Sequence, residues 1–204
     1  MPNFARECAT GDDMAKVRVR LSGSGGQGLL LAGLMLAEAA SIYDCKYVSQ
    51  TQSYGPEARG GASRSDIIIS DQPIIFPKPD KVDVLLALNQ ASVDRFYSSL
   101  GENGIFLIDD SLVETLPTQT AYRIPFTALA YENFKTRMVT NVIALGALNE
   151  LANLVKVTAL RKAVSKRVPP AHRSTNMKAL DIGIAEGRKI QKIGTFEHME
   201  EWEL

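Results

Sequence analysis

The sequence predicts an α/β fold: a three-layer open sheet, mostly parallel, with helices on both faces. Three observations point there. Short apolar runs alternate with helical stretches through the first half of the chain. A glycine-rich turn, Rossmann-like in its position, joins the first such run to the first helix. The last third reads as helix almost throughout.

Val17 to Leu21 alternates apolar and basic residues, as a short strand with one covered face does. Leu29 to about Ser41 reads as a helix with Glu38 as its one charge. A helix that is apolar all round is buried, with a sheet on one face and a second cover, potentially a partner subunit, on the other. Lys46 to Gln52 is a strand candidate, and Tyr54 to Arg64 is too rich in glycine to be regular. Asp66 to Ser70 and Val82 to Leu88 read as strands. Asn89 caps a helix expected to run to Leu100 and stop at Gly101. Ile105 to Ile108 and Ala121 to Ile124 are further strands. Three helices follow, from Thr140 as N-cap to Leu151, from Thr158 to Val168, and from Asn176 to Ile190.

The chain has 204 residues, 23 basic and 23 acidic. That length suits one domain, placed at 16–193, with a flexible leader over 1–15 and a C-terminal tail over 194–204. Balanced charge argues against a nucleic-acid partner. The longest apolar run, Leu29 to Ala37, is too short to span a bilayer, and no signal peptide is visible. A cytoplasmic protein is the expectation. The two cysteines, Cys8 and Cys45, are too few for a [4Fe–4S] cluster, and Cys45 reads as a buried thiol. His172 reads as a solvated turn residue, and Asp109-Asp110 as a turn. Arg161, Lys162, Lys166 and Arg167 form a basic helix face, either solvated or turned toward an acidic partner such as a ferredoxin.

Gly23, Gly25 and Gly28 satisfy G-x-G-x-x-G between a strand and a helix, with Gly26 and Gln27 completing the turn. Glycines let the backbone approach a ligand, and amides at a helix N-terminus favour an anion. A phosphate-bearing ligand and simple close packing both fit. A dinucleotide site wants an acidic residue at the end of the second strand, and Ser49 to Gln52 has none. In the second glycine segment, Gly55, Gly60 and Gly61 permit unusual backbone angles and Pro56 stiffens the turn. Arg59 and Arg64 are placed to clamp a carboxylate or phosphate, or Glu57 pairs with an arginine internally. Both segments belong at the carboxyl edge of the sheet. No catalytic residue and no metal site is assigned to this chain.

The blocks RLSGSGGQGLLLAGLMLAEAA, SYGPEARGGASRSDIIIS, PDKVDVLLALNQ and NVIALGAL resemble the gamma subunit of 2-oxoacid:ferredoxin oxidoreductases, from about Val17 to Ile190. The resemblance implies a non-catalytic component of a thiamine diphosphate-dependent complex that converts a 2-oxoacid and coenzyme A to acyl-CoA, carbon dioxide and reduced ferredoxin. Thiamine diphosphate, magnesium and iron–sulfur clusters are then expected on alpha and beta partners, with a ferredoxin-like delta subunit alongside, and the isolated chain is expected to form a homodimer. Gly23, Gly25, Gly26, Gln27, Gly28 and Arg59 become candidate coenzyme A or phosphate contacts. Tyr54, Gly55, Glu57, Gly60, Gly61 and Ser63 become a subunit-interface or signature loop. The favoured substrate is 2-oxoglutarate, with indolepyruvate or pyruvate as alternatives. A free-standing dinucleotide-binding protein and a pure scaffold are the readings from other classes.

Overall fold

The computed structural model describes residues 16–53, 62–118 and 120–200, the last ten for backbone only. The expected leader 1–15 lies outside them, as do Tyr54 to Gly61. Six strands form one sheet: β1 (Lys16–Ser24), β2 (Tyr47–Ser53), β3 (Ala62–Ser70), β4 (Val82–Ala87), β5 (Leu100–Asp109) and β6 (Tyr122–Ile124). Their order is β2-β3-β1-β4-β5-β6. β1, β4, β5 and β6 form a parallel run in that order, while β3 runs antiparallel to both β1 and β2. Five strands therefore point one way and β3 the other.

Alternation along the strands sorts side chains onto two faces. Val19, Leu21, Ile67, Ile69, Val84, Leu86 and Leu107 face the larger core, which is completed by α1 (Leu29–Glu38), α4 (Thr140–Ala152), α5 (Val157–Arg167) and α6 (Arg173–Glu200). Leu85, Ala87, Phe106 and Ile108 face a smaller core under α2 (Gln90–Phe96). α4 and α5 of the same chain cover part of the second side of α1, while Leu31 stays 38% exposed and Leu30 and Leu34 half-buried on the remaining face. Helices α4 and α6 approach so closely that a Cβ on Gly183 would lie 1.9 Å from the Ile143 carbonyl oxygen. Only glycine permits that contact.

Several boundaries differ from the sequence expectations. The helix after Asn89 ends at Phe96, and a 3₁₀ turn (Tyr97–Ser99) leads directly into β5. Leu100 pairs with Val82, so Gly101 sits in a strand and stops nothing. α3 (Phe126–Phe134) was not anticipated. The Asp109 carboxylate, from the end of β5, accepts from the Thr127 N–H at 3.1 Å and the Thr127 hydroxyl. Thr140 opens α4 rather than capping it, with Val139 at the N-cap position. The backbone of α6 runs on to Glu200, past the expected end near Ile190. Cys45 is half-buried with φ 57°, not the fully buried thiol expected. His172 is exposed in a 3₁₀ turn, and Asp109 does initiate a turn, accepting from the Ser111 N–H at 3.0 Å.

Candidate functional site at the carboxyl edge of the sheet

The chain leaves β1 toward β2 on one side and leaves β4 toward β5 on the other. The strand order thus reverses between β1 and β4, and the crevice at their carboxyl ends is where open α/β sheets bind ligands. The glycine turn lies in that crevice. Because β3 is antiparallel, its first residue also lies there, Ala62 opposite Ser24 and Ser63 opposite Gly23. Ser53 at the end of β2 pairs with Arg64, so both ends of segment 54–61 are anchored at this edge beside the turn.

Side chains of the turn close part of the crevice. Gln27 Oε1 accepts from the Ser24 N–H at 2.6 Å, and Gln27 Nε2 reaches toward the Leu88 carbonyl at 3.5 Å. Asn89 caps α2 by accepting from the Ser92 N–H at 2.9 Å and donates to Ser24 Oγ. Ser63 Oγ donates to the Gly23 carbonyl at 3.0 Å, tying β3 to the turn. Among the described residues, a Cβ on Gly25 or Gly26 would meet nothing within 4 Å.

Gly28 occupies the N-cap of α1 with φ 71°, a left-handed conformation, and no side chain caps the helix. Its carbonyl accepts from Asn141 Nδ2 at 2.9 Å. Asn141 is the second residue of α4, whose N-terminus likewise has no side-chain cap. Two uncapped helix N-termini therefore stand side by side, joined by one buried asparagine. Each presents the positive end of a helix dipole, though at α4 the Thr140 and Val142 N–H groups already donate to the Arg137 and Val139 carbonyls at 3.2 and 3.0 Å. Asn141 is 4% exposed, and its Oδ1 has no hydrogen-bond partner among the described residues. Arg137 and Met138, both exposed, lie just before α4. The arrangement can hold an anion, the use to which such termini are commonly put.

Of the residues singled out in the sequence, Gly23, Gly25, Gly26, Gln27, Gly28 and Ser63 are gathered at this edge. Tyr54, Gly55, Glu57, Arg59, Gly60 and Gly61 lie outside the described residues. Arg64 is not a loop residue: it belongs to β3, its Nε lies 3.4 Å from Asp66 Oδ2, and its guanidinium packs 5.6 Å from the Phe96 ring centroid. Asp66 is engaged more closely by Arg20, at 2.7 and 3.0 Å, across the β1–β3 register. Sequence reasoning missed that pair and missed Asn141. For the first, an acid preceding three isoleucines on a strand was an available signal; for the second, none was. β2 carries no carboxylate for a ribose. Among the described residues no group of three or more His, Cys, Asp or Glu could hold a metal ion. No helix among them is long and apolar enough to cross a membrane.

A profile of the pyruvate ferredoxin/flavodoxin oxidoreductase family matches residues 18–186. The 2-oxoglutarate synthase subunit KorC of Methanocaldococcus jannaschii is 45% identical over 176 residues, which is 84% of this chain and 94% of the relative. The crystal structure of a keto/oxoacid ferredoxin oxidoreductase gamma subunit from Geobacter sulfurreducens superposes with a TM-score of 0.78 at 42% identity, covering 86% of this chain and 98% of that one. The same fold, at 24% identity and a TM-score of 0.78, makes up 32% of a chain of the Magnetococcus marinus 2-oxoglutarate:ferredoxin oxidoreductase, solved with 2-oxoglutarate, coenzyme A and succinyl-CoA bound. A glycine turn between β1 and α1, the β2–β3 hairpin folded back beside it, and a match over most of the chain lead to one conclusion: this chain belongs to the pyruvate ferredoxin/flavodoxin oxidoreductase family.

Proposed function

We propose that this chain is the gamma subunit of a cytoplasmic, thiamine diphosphate-dependent 2-oxoglutarate:ferredoxin oxidoreductase. The complex joins 2-oxoglutarate to coenzyme A, releases carbon dioxide and passes two electrons to ferredoxin. Likeness to the archaeal 2-oxoglutarate synthase subunit supports that substrate over pyruvate or indolepyruvate. Alpha and beta subunits carry the thiamine diphosphate, magnesium and clusters, and a ferredoxin-like delta subunit completes the electron path. This chain contributes a binding edge.

The observation that carries this reading is the pair of uncapped helix N-termini at Gly28 and Val139, set beside the anchors of the arginine-bearing hairpin. Such an edge suits the phosphates of coenzyme A: main-chain amides of α1 receive charge beside the positive end of the α4 dipole, Gly25 and Gly26 allow close approach, and Arg59 supplies a charge-assisted contact. When those partners are withheld, β2 is an edge strand without proline or charge, open to pairing with a second copy. The test is a coenzyme A titration of the assembled complex carrying Arg59→Ala. Loss of one charge-assisted contact costs about 1.5–3 kcal/mol, which raises the KM for coenzyme A at least tenfold while leaving that for 2-oxoglutarate alone. An unchanged coenzyme A KM in an intact complex refutes the assignment.

A further inference from the structure

The sheet on one side of α1 and α4 and α5 on another leave one stripe of the helix uncovered. Leu30, Leu34 and Ala37 are half-buried and Leu31 is 38% exposed; on the turn that follows, Ala39–Tyr43, Ile42 is 43% exposed. At about 3.6 residues per turn these positions fall on one side of the helix. Among the described residues, Leu30, Leu31, Leu34 and Ile42 belong to neither core. The one charged residue of α1, Glu38, is buried in its pairs with Lys166 and Arg167. A helix face at a surface is ordinarily polar; this one is not.

The stripe runs alongside the bare edge of the sheet. Gly33, on the neighbouring line of α1, sits over β2: a Cβ there would lie 2.7 Å from Gln50 Nε2. β2 is the outermost strand, and its seven residues include no charge and no proline, the devices that ordinarily protect a strand edge. A free-standing protein guards such an edge, whereas a subunit can leave it to its neighbour. The core of a permanent interface is likewise apolar and poor in charge. Two independent features, the unguarded strand and the uncharged stripe, therefore mark one continuous face.

Building on the functional reading above, we propose that this face seats the alpha–beta core that carries the thiamine diphosphate, through an apolar, uncharged surface on that core. The stripe begins in the first turn of α1, directly after Gly28, so its occupant stands beside the glycine edge. Coenzyme A held there by its phosphates must deliver its thiol to a thiamine on the neighbouring subunits, and a partner seated next to the edge meets that requirement. A second copy of this chain on the same face would keep the thiamine away. The two occupants exclude each other, and pairing of isolated chains through β2 is the substitute when the core is withheld.

The test titrates the full chain into purified alpha and beta subunits and follows 2-oxoglutarate- and coenzyme A-dependent ferredoxin reduction. Leu31→Glu combined with Ile42→Glu, both at exposed positions, places carboxylates in the contact. Gln52→Lys, exposed on β2, guards the strand edge. For each, the chain concentration giving half the full rate is expected to rise at least tenfold, while the rate at saturation and the KM for coenzyme A stay the same. An unshifted curve for either variant overturns the proposal. An unshifted curve together with loss of the isolated homodimer assigns the face to a second copy and overturns it equally. Should the glutamate variant melt below the parent, Leu31→Gln with Ile42→Gln decides by the same titration. If the unaltered chain restores no activity at any concentration, the functional reading falls and takes this inference with it.

Discussion

Replacing Gly28 with alanine tests the architecture of the glycine edge through stability. Two costs combine. At φ 71° an L side chain is strained, by about 1 kcal/mol for a left-handed residue. The added Cβ would also lie 2.5 Å from Asn141 Nδ2, so the amide must move and give up its hydrogen bond to the Gly28 carbonyl. Asn141 is buried and its Oδ1 already lacks a partner among the described residues, so the amide is left with no partner among them, at about 1–3 kcal/mol. The sum is about 3 kcal/mol, or roughly a 6–12 °C fall in Tm for a chain of this size. Gly25→Ala is the control: its Cβ meets nothing within 4 Å among the described residues, and the change should stay within about 0.5 kcal/mol. Differential scanning calorimetry of both variants, with Asn141→Ala and the Gly28/Asn141 double replacement, completes a cycle. The double should cost less than the two singles together, because the clash is removed. A Gly28→Ala protein that melts with the parent, or a Gly25→Ala protein that falls as far, refutes the reasoning.

Glu38 is buried and ion-paired to Lys166 and Arg167. Burial pushes its carboxyl up, but hydrogen bonds from Arg167 and Lys166 and their charges outweigh this and hold the pKa below the ordinary value. The unfolded chain therefore takes up this proton first on acidification. The contribution is complete above about pH 4.3 and fades as pH falls through the folded value. Glu38→Gln should cost about 1.5–3 kcal/mol at pH 7 and progressively less in acid, as read by urea denaturation across pH. Asp66→Asn leaves Arg20 without its charge partner in a site where both side chains are at most 5% exposed, and should cost about 3–5 kcal/mol. Replacing both with apolar residues of similar volume should restore most of the loss in the same assay. Gly183→Ala drives a methyl group into the Ile143 carbonyl, and thermal melting should show at least about 2 kcal/mol lost to overpacking.

The alternating and all-apolar stretches made the sheet and most helices legible in the sequence, because burial writes a period into it. α3 was invisible for a physical reason: what holds its first turn is Asp109, from a strand end distant in sequence. Gly101 misled because a glycine after a helix is an ordinary stop signal, yet strand pairing with β4 takes over at Leu100. At the site, the glycine turn could be read from motif and position, and Ser63 from the family resemblance. The paired helix N-termini could not, because Asn141 meets Gly28 only once α4 has packed onto α1. The basic helix face was correctly located, but its partial neutralisation depended on Glu38, Asp44 and Asp181 arriving from three separate elements.

The most direct test is reconstitution of 2-oxoglutarate- and coenzyme A-dependent ferredoxin reduction from purified components. The chain alone should show no turnover, the alpha and beta subunits without it should lose coenzyme A-dependent activity, and adding it back should restore the full rate. Turnover by the chain alone, or an undiminished rate in its absence, contradicts the account.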